Sequence, residues 1–392
     1  MSLRVLIVPD KFKATLTARE AAQAIARGWR DARPEDELDL LPMSDGGDGF
    51  GEVMSRVLGA QARSLSTRDA AHRPCAARWW WNSQTHTALL DTARVVGLAM
   101  LPPGRYHPFE LDTYGLGELV RAVVRAGAKR CVVGLGGSAT NDAGFGLARA
   151  LGWKFEERSG RPIERWTDLW KLASLRPPAV PSQVPELVVA VDVQNRLLGP
   201  RGATRVYGPQ KGLKTADFAA AERALKRLAS AMKEHRHFDF AAVPGSGAAG
   251  GLGFGFAAFL GGRLAGGFDL FAREVGLESK LARADLVITG EGRIDVSSTM
   301  GKGAGCVAKL CSRFRLPCLG FAGTVEANSK KLFTRTRALT DLTTNEEAMR
   351  RPRLWLRRLA RQTAAEWMGA THPEGQPKST TEPITSLGHR TG

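Results

Sequence analysis

Residues 132–146 read VVGLGGSATNDAGFG. An apolar run ending at Val133 stops at Gly134, and an apolar helical pattern resumes at Phe145. A strand that breaks into glycine before a helix start leaves backbone N–H groups pointing outward, and the helix dipole favours negative charge there. Gly136 and Gly137 let an anion approach those groups. Ser138, Thr140 and Asn141 add side-chain donors, and Asp142 is able to hold a cation. The stretch is therefore expected to cradle a chain of phosphates. The alternative is a tight strand-to-helix turn with no ligand; the succession of polar and glycine positions on one turn favours the site.

On the N-terminal side, Leu116, Leu119, Val120, Val123 and Val124 form one helical stripe that closes at Gly127 and feeds this strand. On the C-terminal side, residues 187–191 read as a strand ending at Asp192. A loop, YGPQKG (207–212), then leads to a long helix over about 216–234. A second glycine turn, GSGAAGGLG (245–253), opens an apolar stretch, 251–268, that reads as a buried helix. Arg263 makes that stretch too polar to span a bilayer.

The chain starts in the same idiom. Residues 3–8 read as a strand, apolar but for Arg4; Thr17 and Glu20 form a capping box, Ala21, Ala24, Ile25, Gly28 and Trp29 repeat at helical spacing, and 37–41 is a second strand. Strands at 285–289 and 317–322 are of the same type. The expected fold is α/β with two α/β domains. One is discontinuous and Rossmann-like, an open parallel sheet made from 1–66 and 284–370; the other, 67–283, is inserted and carries the glycine-rich phosphate loops. Residues 158–185 read as an irregular excursion, Trp79-Trp80-Trp81 as a packing device, and the last helix as running from a capping box at Thr344 and Glu347 towards Met368. Residues 371–392, nearly devoid of apolar side chains, are expected to be a disordered tail.

With 392 residues and 43% apolar content, the chain is long enough for two cores but hardly three. A formal charge of +17 points to anionic ligands, or to non-specific affinity for nucleic acid or anionic membranes. Arginine is scattered along the chain and not gathered in a block, so no specific nucleic-acid or membrane partner is expected. Five cysteines without a CxxC, and histidines without an HExxH, leave neither a disulfide framework nor a zinc site in view. With no signal-peptide pattern ahead of Leu3, a reducing cytoplasm is expected.

Two substrings, Gly134-x-Gly136-x-x-Ala139 and Gly245-x-Gly247-x-x-Gly250, fit a dinucleotide fingerprint loosely, but neither has a clear ribose-binding acid downstream. A Walker A loop is absent, because Gly303 follows Lys302 where Ser or Thr is needed. The chain ends of several strands instead carry glycine-flanked charges. Lys11, Lys13, Lys211, Arg293 and Lys302 suit anions; Asp45, Asp48, Asp142, Asp192, Glu291 and Asp295 suit a metal ion or a proton. Phosphoryl transfer needs that mixture: donors and cations on the moving oxygens, carboxylates for Mg²⁺, and one carboxylate for the acceptor's hydroxyl proton. A nicotinamide-dependent hydroxy-acid oxidoreductase and a basic nucleic-acid-binding protein are the alternatives.

Here the motifs carry a resemblance. PDKFKATLTA (9–18), SDGGDGF (44–50), GLGGSATNDAG (134–144), DVQNRLLGPRGA (192–203) with YGPQKG, GSGAAGGLG, and DLVITGEGRID (285–295) with Gly301-Lys302 resemble, in order, the motif series of the type-1 glycerate kinase family. The resemblance covers about residues 3–350. It implies a two-domain α/β enzyme that phosphorylates D-glycerate with ATP and Mg²⁺, giving 2-phosphoglycerate or 3-phosphoglycerate, and it leaves a homodimer open. The loop 134–140 is then expected to receive ATP phosphates, with Gly250 and Gly251 in a second anion site or a close-packing turn. Asp192 is the first choice for general base or Mg²⁺ ligand, followed by Asp45 and Asp295. Asp142 and Glu291 complete the metal candidates, while Arg293, Lys302, Lys13, Lys11 and Lys211 are expected on the glycerate carboxylate or the phosphoryl group. Arg196, where many relatives have Pro, adds charge close to Asp192.

Overall fold

The computed structural model describes residues 2–12, 14–47, 49–180, 184–299, 303–326 and 332–367. Two parallel-type sheets organise them. The first has five strands in the order Arg335–Ala338, Cys318–Val325, Leu286–Ile294, Arg4–Pro9, Glu37–Leu40, and every pairing is parallel. Arg4–Pro9 is buried from Val5 onward because a sheet with helices on both faces hides both sides of its central strands. Its neighbour comes from the far end of the chain, with Val5 opposite Leu286 and Pro9 opposite Gly290. This sheet is thus built from both chain ends.

The helix Ala18–Ala32 crosses between the first two strands. Its start is fixed reciprocally: the Glu20 amide donates to Thr17 Oγ1 at 3.2 Å, and the Thr17 amide donates to Glu20 Oε2 at 2.9 Å. On its buried face, Trp29 donates through Nε1 to Asp36 at 2.8 Å.

The second sheet has six strands in the order Arg263–Gly266, Glu186–Val191, Arg130–Gly134, Thr87–Asp91, Pro74–Asn82, Gln61–Arg68. The first four are parallel and the last two form an antiparallel hairpin edge. The strand Gln61–Arg68 straddles the expected boundary between residues 66 and 67 and belongs wholly to this sheet. The Trp run lies on the hairpin and alternates as a strand must. Trp79 and Trp81 enter the core of the six-stranded sheet, while Trp80 joins Leu6, Val8, Phe50, Val132 and Val188 in a cluster fed by both sheets. All three rings are buried.

Four local expectations are corrected. The stretch 251–268 is not one helix: Ala248–Leu260 stops at Gly261, whose φ of +70° ends it, and the edge strand Arg263–Gly266 follows. The motif YGPQKG is not a loop but the end of the helix Ala203–Lys211, which accommodates Pro209 in its last turn. Within 158–185, the six residues Trp166–Lys171 form a 3-10 turn, and Leu172–Arg176 pairs antiparallel with Lys154–Glu157. The final helical region breaks at Arg351 into Asn345–Arg350 and Pro352–Ala365, with proline opening the second piece as its fixed φ favours. The expected tail, 371–392, lies outside the described residues. Among the described residues no helix is long and apolar enough to cross a membrane.

Candidate active site

In open parallel sheets, ligands collect beyond the carboxyl ends of the strands, at the point where connections leave in opposite directions. In the five-stranded sheet that point lies between Arg4–Pro9, which leads outward to Glu37–Leu40, and Leu286–Ile294, which leads the other way to Cys318–Val325. Asp10 follows the first strand, and Glu291 stands near the end of the second.

Asp10 is buried, and its carboxylate accepts the Lys11 amide at 2.7 Å. Burial, and then the charge of Asp45, raise it to about 7; the charge of Glu291 acts in the same sense. Glu291 accepts the Ser298 hydroxyl at 2.8 Å, and burial, with the charges of Asp295 and Asp45, raises it to about 7 as well. Gly303 lies against both. A Cβ on Gly303 would stand 3.2 Å from Glu291 Oε2 and 3.4 Å from Asp10 Oδ2, and its φ of +47° is one that side chains rarely take. A side chain at residue 303 would therefore crowd both carboxylates.

Asp45 reaches this group from the loop after Glu37–Leu40. Its Oδ1 accepts the Gly47 amide at 3.2 Å. The ideal Cβ of Gly47 lies 3.2 Å from both Asp45 Oδ1 and Lys11 Nζ, so a lysine ammonium and a carboxylate flank the bare glycine. Gly46, at φ +100°, sets the same loop against Ala190, the penultimate residue of Glu186–Val191. The loop thereby bridges the carboxyl edges of the two sheets.

Asp192 follows Glu186–Val191 and is half-buried; its charge, after burial, helps raise Tyr207 to about 12. The Tyr207 hydroxyl donates to Asn195 Oδ1 at 2.6 Å, and Asn195 Nδ2 donates to the Arg201 carbonyl at 2.7 Å. Asp295 lies beside Glu291 and 3.5 Å from Arg293 Nε, while the exposed Arg293 also pairs with Glu326. Lys13, Asp48 and Lys302 lie outside the described residues.

The glycine stretch that opens the sequence folds inward for most of its length. Gly136 is half-buried and Gly137 exposed, but Ser138, Thr140, Asn141 and Asp142 are buried. Asp142 is not placed as a metal ligand: its carboxylate accepts the Thr113 hydroxyl at 2.8 Å, the Thr113 amide at 3.0 Å, the Gly146 amide at 2.9 Å and the Gly144 amide at 3.2 Å. Those donors use its oxygens to fasten the turn. Lys211 is likewise turned away from solvent, donating to the Thr140 carbonyl at 2.6 Å and to Ser138 Oγ at 3.3 Å. Asn141 donates to Thr204 Oγ1 at 3.0 Å. Gly250 and Gly251 form a close-packing turn: a Cβ on Gly250 would lie 2.7 Å from Lys211 Nζ, and one on Gly251 would lie 2.7 Å from Ala143 Cα. Of this loop, Gly136 and Gly137 are the part that faces outward.

Asp10 was the residue that sequence reasoning passed over. Its signal was present, since it sits in the PDKFK loop between Pro9 and Lys11 at a strand end. A second omission is Asp91, raised to about 6 by burial; it accepts the Ala93 amide at 3.2 Å and a bond from the Gly51 amide, and so holds the start of the helix Phe50–Val57.

Fold and site together define an α/β enzyme acting on a small molecule, with carboxylates gathered at a sheet's switch point. The chain belongs to the Glycerate kinase family, whose model matches residues 5–368; it is accordingly an ATP-dependent kinase acting on an alcohol group. It is 35% identical over 334 residues to the glycerate kinase of Bacillus subtilis (strain 168), covering 84% of this chain and 87% of the relative. It is 35% identical over 327 residues to the glycerate 2-kinase of Escherichia coli (strain K12), covering 82% and 86% respectively. A crystal structure from Salmonella typhimurium LT2, assigned as glycerate kinase 2, superposes with a TM-score of 0.79 at 33% identity, covering 93% of this chain and 98% of the other.

Proposed function

We propose that the protein transfers the γ-phosphoryl group of ATP to D-glycerate in a Mg²⁺-dependent reaction, giving 2-phosphoglycerate. The observation that carries the reading is the Asp10–Glu291–Asp45 group at the switch point, in a chain of this family. The relative named glycerate 2-kinase supports the 2-phosphate as product.

Among the described residues no group of three or more His, Cys, Asp or Glu is arranged to hold a metal ion. Mg²⁺ does not require one, because it commonly takes one or two carboxylates and fills its remaining positions with water and substrate phosphates. Asp10 and Glu291, both close to the bare Gly303, fit that role. When bound there, Mg²⁺ would neutralise charge on the phosphate oxygens. Asp45, also facing this group, is suited to accept the proton of the attacking hydroxyl, and Lys11 beside it to hold the glycerate carboxylate or the phosphoryl oxygens. This assignment moves the base from Asp192, on the six-stranded sheet, to Asp45. Gly136 and Gly137 offer the outward part of the phosphate loop.

The test is ADP release by the purified protein in the presence of ATP, Mg²⁺ and D-glycerate. Release that requires both glycerate and Mg²⁺ is expected. ADP formation that is indifferent to glycerate would refute the proposal.

A further inference from the structure

A groove of about 450 Å³ opens at the free edge of the six-stranded sheet. One wall is the edge strand Arg263–Gly266; the other is the segment around Phe238, Phe240 and Val243. We propose that it seats the purine base of the nucleotide co-substrate, an assignment that rests on the kinase reading above.

Three observations point there. The first is the aromatic wall. His237 takes a left-handed φ of +54° after the helix Phe218–Arg236 and turns the chain back. This brings Phe238 and Phe240 together with centroids 4.8 Å apart, and leaves Phe238 53% exposed. A large ring held at a cavity mouth is a stacking surface for a flat base.

The second is the opposite wall. Arg263–Gly266 pairs with Glu186–Val191 on one side only, and it ends the sheet. An edge strand presents N–H and C=O groups that lack a ladder partner, and these match the alternating donor and acceptor edge of a purine.

The third is continuity with the phosphoryl site. Gly266 is in register with Val191, which Asp192 follows, and both Gly266 and Val191 line the groove. The next residue, Gly267, has its ideal Cβ 2.6 Å from the amide nitrogen of Gly46, beside Asp45. A base in the groove therefore points its phosphates along the strand ends towards the Asp45 loop.

Glycerate is small, charged and without an apolar face, so it does not suit this groove. The volume lies within the roughly 300–1,000 Å³ of pockets that take larger ligands. A second cavity, about 300 Å³, lies at the opposite, amino edge of the five-stranded sheet. Two of its cations are already paired, Arg4 with Asp285 and Lys280 with Asp39.

The experiment measures binding of ATP carrying a ribose-linked N-methylanthraniloyl fluorophore to the wild type, Phe238→Ala and Ala265→Trp, alongside separate KM values for ATP and glycerate. The first variant alters an exposed ring, which guards against misfolding of the second. The expected result is nucleotide binding weakened about tenfold in each variant, with the ATP KM raised and the glycerate KM within about twofold of wild type. Nucleotide affinity unchanged in both variants, with glycerate turnover intact, would overturn the groove assignment and leave the kinase reading standing. Phe238-dependent nucleotide binding without glycerate turnover would support the groove and remove glycerate as the acceptor.

Discussion

Lys211 shows how burial sets the chemistry of a single residue. Loss of solvent lowers it from 10.5 to about 7, with Asp142 pulling in the opposite sense. The unfolded chain keeps that proton until about pH 10.5, so between about pH 7 and 10.5 it binds more protons than the native state. Stability from this group must therefore rise with pH across that window. Lys211→Met removes this slope: denaturant midpoints compared at pH 7.5 and 9.5 are expected to converge in the variant relative to wild type, and an unchanged slope would contradict the assignment. For Asp45→Asn, loss of the base is expected to reduce kcat by about 10²–10⁴ with the fold intact, whereas Asp192→Asn is expected to cost less than about tenfold. The reverse ranking in steady-state kinetics would return the base to Asp192. Gly303→Ala places a methyl group against both Asp10 and Glu291 and strains a left-handed backbone. Its expected signature is a Mg²⁺ requirement raised about tenfold or more, read from a metal titration of the rate; an unaltered titration would remove the metal from this position.

At the scale of elements, the Trp run ties the two sheets together. Trp80 is buried in the cluster that Leu6, Phe50 and Val188 share. Trp80→Ala should destabilise the protein by about 3–5 kcal/mol in urea unfolding; a loss below about 1 kcal/mol would mean that the ring is not a structural link. Elements buried on both faces were legible in the sequence, because an unbroken apolar run such as residues 5–8 admits few other readings. The helix Ala203–Lys211 was not, since Gly208 and Pro209 near its end are ordinarily turn residues and only tertiary context keeps them helical. The site was legible as a set of loops but not as a set of distances. Asp10 owes its shifted protonation to burial and to Asp45 and Glu291, which reach it from distant segments of the chain. Asp142 carried the composition of a ligand, but four donors contributed by residues 113, 144 and 146 use its oxygens.

For the whole molecule, the central fact is that loops from both sheets meet where the Asp45 segment bridges them. The five-stranded sheet supplies Asp10 and Glu291, and the six-stranded sheet supplies the strand ends on which that segment rests. A net charge of +17 adds a field that draws ATP and glycerate, both anions, towards the protein. The product of the reaction identifies the enzyme most directly. Phosphorus NMR of the protein incubated with D-glycerate, ATP and Mg²⁺ should show ADP together with a resonance at the position of authentic 2-phosphoglycerate. A folded protein that leaves ATP intact, or that yields only inorganic phosphate, would contradict the proposed function.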